Sequence, residues 1–211
     1  MTSIMFGVKH GQNDLAVRAG TTSPGVHMRY PAAETAEKHA RIVEQAARLF
    51  RERGFSGVSV GEIMKETGLT HGPFYNHFAS KEALIAESLA HITGKSLEGL
   101  DEASPDAAGK AAYLASYLSE AHRDAPGTGC PVAALAPEIG REPGVRGVFT
   151  THVRSMLERM TARFPWSSKK NARRDAILAA SAMAGAMMLA RAVDDEALSK
   201  EILRETLAAL S

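Results

Sequence analysis

Hydrophobic positions recur at helical spacing along most of this chain. Ile42, Val43, Ala46, Ala47, Leu49 and Phe50 fall on one face of a helix beginning near Glu34, and Gly54 stands where a C-terminal cap belongs. Ser59-Val60-Gly61-Glu62 has the form of a capping box, in which the serine hydroxyl takes the Glu62 amide and the glutamate reaches back. A short helix over 60–67 is expected to follow and to stop at Gly68. Thr70 is placed to cap a third helix over 71–78, with Pro73 in its first turn, where an amide has no intrahelical partner. Ser80 caps a fourth, with Leu84, Ile85, Leu89 and Ile92 on one face.

Beyond Gly99 the pattern predicts a helix capped by Ser104 and running to about His122, with Tyr113, Leu114, Tyr117 and Leu118 on its apolar face. Residues 124–129 are turn-rich. A short apolar helix over 130–140 follows, with Pro137 expected to kink or end it. Longer helices are expected over about 144–164, 169–193 and 195–210. Residues 1–33 carry no sustained period and read as a flexible arm, in which Met28 offers an alternative start. The fold class is all-α: an N-terminal helix-turn-helix three-helix bundle over 34–80, then a second helical domain over 81–211.

Composition narrows the classes. With 211 residues, 45% hydrophobic and 23% charged, the chain can bury a core and is neither disordered nor fibrous. A single cysteine excludes an intrachain disulfide framework and suits a reducing, cytoplasmic setting. The longest apolar run, 176–190, has 15 residues where a bilayer span needs roughly 20, so no membrane association is expected. No phosphate-cradling glycine loop and no zinc-type histidine or cysteine spacing occurs, which argues against an enzyme and against metals or cofactors. The one catalytic alternative is a Cys130 nucleophile with His122 or His152 as base.

The stretch ARIVEQAARLFRERGFSGVSVGEIMKETGLTHGPFYNHFASKEALIAESL resembles the DNA-binding region of the TetR family of bacterial transcriptional repressors. The match includes Gly54-Phe55, Gly68-Leu69, Phe74-Tyr75, His77-Phe78 and Ser80-Lys81-Glu82. The resemblance implies that the third helix enters the major groove of double-stranded DNA. His71, Gly72, Pro73 and Asn76 would then face base edges, while Thr70, Tyr75, His77 and Lys81 would hold phosphates. From Glu34 to Lys95 eight basic residues face eight acidic ones, so the attraction must be local. Helix N-terminal ends and protonated His71 and His77 are expected to supply it, and Arg18 or Arg29 to reach the neighbouring minor groove.

The resemblance also implies a homodimer through the last two helices on a palindromic operator, released by a small apolar or aromatic effector. The run 176–190 is apolar nearly all round, and Ala182, Ala184, Gly185 and Ala186 would allow close approach, together with Ile202, Leu203, Leu207 and Leu210; burial within the subunit is the competing reading. Candidates to line an effector pocket are Tyr113, Tyr117, Cys130, Leu135, Phe149, Met156, Met160, Met183 and Met187, since methionines make adaptable apolar walls and tyrosines add a hydroxyl. Cys130, expected at a helix start, is also a candidate redox-sensing thiol.

Overall fold

Two glycines in the left-handed region punctuate the first half of the molecule, and each ends a helix. In the computed structural model, which describes residues 32–70 and 72–211, α1 (Ala32–Arg53) closes at Gly54, whose φ is 76° and whose N–H donates to the Phe50 carbonyl at 2.8 Å. The second helix, α2 (Val60–Glu66), ends at Gly68 with φ 72°. There the Leu69 N–H returns to the Met64 carbonyl and the Gly68 N–H to the Lys65 carbonyl, both at 3.0 Å, so two end carbonyls are satisfied in one glycine-dependent turn. At its start α2 has the expected box: the Ser59 Oγ accepts the Glu62 N–H at 3.2 Å, and the Glu62 carboxylate accepts the Ser59 N–H at 2.8 Å.

The third helix departs from expectation. α3 is only Phe74–His77, with Pro73 at its N-cap and no side chain capping it, so Thr70 does not cap. Proline disfavours the helical region for the residue before it, which stops the helix from beginning ahead of Gly72. Ser80 caps α4 (Lys81–Glu102) as expected, its Oγ accepting the Ala83 N–H at 3.2 Å.

The remaining helices are α5 (Ala107–Tyr117), α6 (Glu120–Asp124), α7 (Pro131–Ile139), α8 (Arg146–Arg163), α9 (Ala172–Ala192) and α10 (Glu196–Leu210); the described residues contain no strand. The single helix expected up to His122 is two, because Ser119 restarts the chain as a new N-cap, its Oγ accepting the His122 N–H. Asp106, not Ser104, caps α5. Pro137 sits inside α7 without ending it, and the helix closes at Gly140.

Two apolar clusters hold these elements. The first gathers Ile42, Phe50, Phe55, Ile63, Met64, Phe74 and Phe78 with Leu84, Leu89 and Ile92 of α4, and also Leu135, Ile139 and Val145. The second gathers Leu100, Leu114, Met160, Phe164, Met183, Met187 and Leu203. α4 serves both, so the core runs across residue 80, where the sequence pattern places a domain boundary. By length and composition α9 is apolar enough to cross a bilayer, yet Ala176, Ala179, Met183, Ala186, Met187 and Ala190 face the second cluster.

Candidate DNA-reading surface and effector cavity

Phe74 and Phe78 stack with ring centroids 5.5 Å apart and are both buried, and this fixes the rotation of α3. The residues between and before them must therefore face out. Tyr75 is 66% exposed, and Thr70, Gly72 and Asn76 are exposed as well. His71 and the arm residues Arg18 and Arg29 lie outside the described residues. Pro73, His77 and Lys81 are half-buried at the edge of the surface.

Two of the expected phosphate ligands are committed differently from the sequence reading. Burial, together with the nearby His39 and Lys38, pushes the His77 imidazole below its ordinary pKa, so the neutral ring dominates and the expected protonated form does not. It can still donate one N–H. The Lys81 Nζ donates to the Phe55 carbonyl at 2.6 Å and so ties α4 to the turn after α1. Most other cations of this region are paired: Arg48 with Glu52 and Glu66, Arg53 with Glu62, Lys95 with Glu44. Arg41 and Lys65 are exposed and form no ion pair among the described residues. Arg41 reaches only the Thr67 carbonyl, at 3.5 Å. The sequence reading did not single out these two flanking cations; their lack of carboxylate partners becomes visible only in three dimensions.

Behind α1 lies a cavity of about 760 Å³. Its wall includes Tyr113, Tyr117, Cys130, Met156, Met160 and Met183 from the expected set. Leu135 and Phe149 are not there, because α7 and α8 turn them toward the first cluster; Met187 is fully buried in the second. Pattern alone cannot tell which side of a helix meets a cavity. The wall also holds residues not anticipated: Glu44, Arg48 and Arg51 of α1, His91 and Lys95 of α4, and His122. Burial keeps the Tyr113 and Tyr117 phenols protonated by raising their pKa, and burial lowers the pKa of His91 and His122.

His122 has a defined role. Its Nδ1 meets the Tyr117 carbonyl at 2.6 Å, and its Nε2 accepts the Cys130 N–H at 3.0 Å. Only a neutral ring protonated at Nδ1 makes both bonds. The one basic nitrogen is thus spent on the backbone of Cys130 and is not available to its thiol. His152 is in α8, 2% exposed beside Phe149, and is not on the cavity wall. Neither histidine forms the cysteine–histidine pair that catalysis would need.

Helices that read DNA from a short turn-linked pair define the helix-turn-helix class, and the geometry of α2, the Gly68 turn and α3 is of that class. Residues 42–88 match the family model described as bacterial regulatory proteins, tetR family. An uncharacterised helix-turn-helix transcriptional regulator of Bacillus subtilis, YerO, is 39% identical over 74 residues, covering 35% of this chain and 26% of YerO. The chain therefore matches about a quarter of that relative's length. A TetR-family regulator from Agrobacterium tumefaciens superposes with a TM-score of 0.68 at 25% identity, covering 82% of this chain and 97% of that one. Another, from Chloroflexus aurantiacus, gives 0.69 at 26% identity over 84% and 94% of the two chains. Residues 42–88 thus carry a DNA-binding region of the TetR-family type, and the described fold is similar to that of TetR-family regulators along most of its length. Both the Bacillus and the Agrobacterium proteins are described as transcriptional regulators.

Proposed function

We propose that this protein is a homodimeric transcriptional repressor that leaves its operator when a small effector fills the cavity behind α1. The observation that carries the reading is the position of α1 itself. One face, with Ile42, Ala46 and Phe50, is the core of the DNA-reading unit; Glu44, Arg48 and Arg51 on the other are cavity wall. An occupant of the cavity therefore touches the helix on which the reading surface is built.

The dimer rests on α9 and α10. Ile177, Leu178, Met188 and Leu189 form an exposed apolar stripe on α9, joined by Leu198 of α10, with Leu189 58% exposed. The space over Gly185, between these positions, is open, which suits close approach by a second helix. Ala184, Ala186 and Leu203, expected at this interface, are buried inside the subunit instead. Two such reading heads would address the half-sites of a palindromic operator in the cytoplasm. In this reading the effector need prefer only the released state: a hundredfold preference corresponds to about 2.7 kcal/mol.

The test is a gel shift on the DNA upstream of the protein's own gene. The reading predicts a specific shift at nanomolar protein that survives excess unrelated DNA and is lost in Tyr75→Ala. No shift on that DNA, or on fragments selected from random sequence, would end it. The thiol-sensing alternative rests on Cys130 opening on the same cavity. It requires release by oxidants or quinones to disappear in Cys130→Ser.

A further inference from the structure

One cation on the cavity wall makes no ion pair among the described residues, and the neighbouring Glu52 acts on it only at longer range. Lys95 is paired with Glu44 at 3.3 Å, and Arg48 with Glu52 at 3.0 Å and Glu66 at 3.1 Å. Burial favours the uncharged forms of His91, His122, Tyr113 and Tyr117. Arg51 stands apart, with no carboxylate partner among the described residues. Its one hydrogen bond runs from Nη1 to the Gly129 carbonyl at 3.3 Å. Its Nε is sealed from solvent with no acceptor, and Nη2 is uncommitted.

Desolvation lowers the Arg51 pKa, which is the signature of a charge held in poor surroundings, although a guanidinium remains protonated near neutrality. A half-buried cation without a counter-anion is costly, and the missing partner is supplied most cheaply by whatever enters the cavity. Part of the wall, with Ile92, Val132, Met156, Met160 and Met183, is apolar. A planar guanidinium on the wall of a space with such an apolar portion matches a carboxylate on a hydrophobic body.

We propose that the effector is an organic carboxylate, its apolar or aromatic body among the methionines and its anionic group on Arg51. This rests on the effector-cavity reading and adds the ligand's charge to it. Arg51 lies three residues before Gly54, in the last turn of α1. Drawing its side chain toward a ligand acts on the end of the helix that frames the reading surface.

Two probes of one shape and different charge test this: 1-naphthoate and 1-naphthamide, titrated calorimetrically into the full-length protein. The wild type is expected to bind the carboxylate at least tenfold more tightly than the amide. In Arg51→Met that preference disappears while the amide binds as before; Arg51→Lys keeps part of it, and Arg48→Met, whose guanidinium is already paired, keeps all of it. An unchanged preference in Arg51→Met, or an equal loss of both probes, overturns the assignment of charge and leaves the cavity as an effector site. Failure of both probes to bind the wild-type protein, or binding that leaves the operator complex intact, overturns the effector reading beneath it.

Discussion

Glu138 of α7 accepts the backbone N–H of Phe55 through Oε2 at 2.6 Å, while Lys81 of α4 donates to the carbonyl of the same residue at 2.6 Å. One peptide turn after α1 is thus gripped from both sides by opposite charges on different helices. Phe55 is itself buried in the first cluster, so the grip sets where α1 ends relative to the helices that carry the cavity.

Removing the acceptor should be felt in stability. A charge-assisted hydrogen bond whose buried partner is left unsatisfied costs about 1–3 kcal/mol. Glu138→Ala is expected to lower the melting temperature by several degrees, and Glu138→Gln by less, because an amide oxygen still accepts. Thermal unfolding followed by circular dichroism measures this; equal melting temperatures for wild type and Glu138→Ala would refute a stabilising role for the bond.

The two left-handed glycines should differ in how badly they tolerate alanine. At Gly68 an added Cβ meets nothing within 4 Å, so the penalty is the backbone alone, on the order of 1–2 kcal/mol. At Gly54 the same Cβ would stand 1.9 Å from the Glu138 Oε1, adding the displacement of the grip just described. Gly54→Ala should therefore be the more damaging substitution in urea unfolding. The reverse order would mean that Glu138 moves aside at no cost.

Acid should weaken the fold through its histidines. His77, His91, His122 and His152 all have pKa values lowered by burial, and both ring nitrogens of His152 lack partners. A histidine whose folded pKa lies below its unfolded one binds fewer protons folded than unfolded. Stability therefore falls as pH drops through about 6.5, the unfolded value. Melting temperature is expected to decline from pH 7 to pH 5, and His152→Leu to flatten part of that decline. A profile identical to the wild type would show that His152 accepts its proton without opening the core.

On the reading surface, function and stability should separate. Tyr75 is two-thirds exposed and Asn76 fully outside the core, so alanine at either position should change the melting temperature by less than about 0.5 kcal/mol equivalent. Tyr75→Ala is expected to weaken operator binding and non-specific binding alike. Asn76→Ala should relax preference at one base pair, at a cost of about 1–3 kcal/mol for the favoured base. Binding titrations on operator and scrambled DNA distinguish the two; if Asn76→Ala weakened both DNAs equally, its place at a base edge would be lost.

Much of the DNA-reading half was legible before any coordinates. The Ser59–Glu62 box, the Gly54 and Gly68 stops and the Ser80 cap each depend on atoms three to five residues apart, so the local chain contains the whole cause. The outward face of Tyr75 and Asn76 was equally readable, because buried Phe74 and Phe78, four residues apart, leave no other rotation. Pro73 was the local exception: its effect on the preceding residue outweighed the expected cap at Thr70.

The cavity is the opposite case. That Tyr113, Tyr117, Cys130 and three methionines meet there, and that Leu135, Phe149 and Met187 do not, depends on how α5, α7, α8 and α9 rotate against one another. The sequence by itself determined most of the helices, the caps at Ser59 and Ser80 and the outward face of Tyr75 and Asn76, since those are settled within a turn or two of chain. Only the tertiary structure decided which charges find partners: Lys81 meets a carbonyl 26 residues away, Lys95 a carboxylate 51 away, and Arg51 a carbonyl 78 away but no carboxylate among the described residues. Partnership between charges is a property of packing between distant segments, and hydrophobic periodicity carries no record of it.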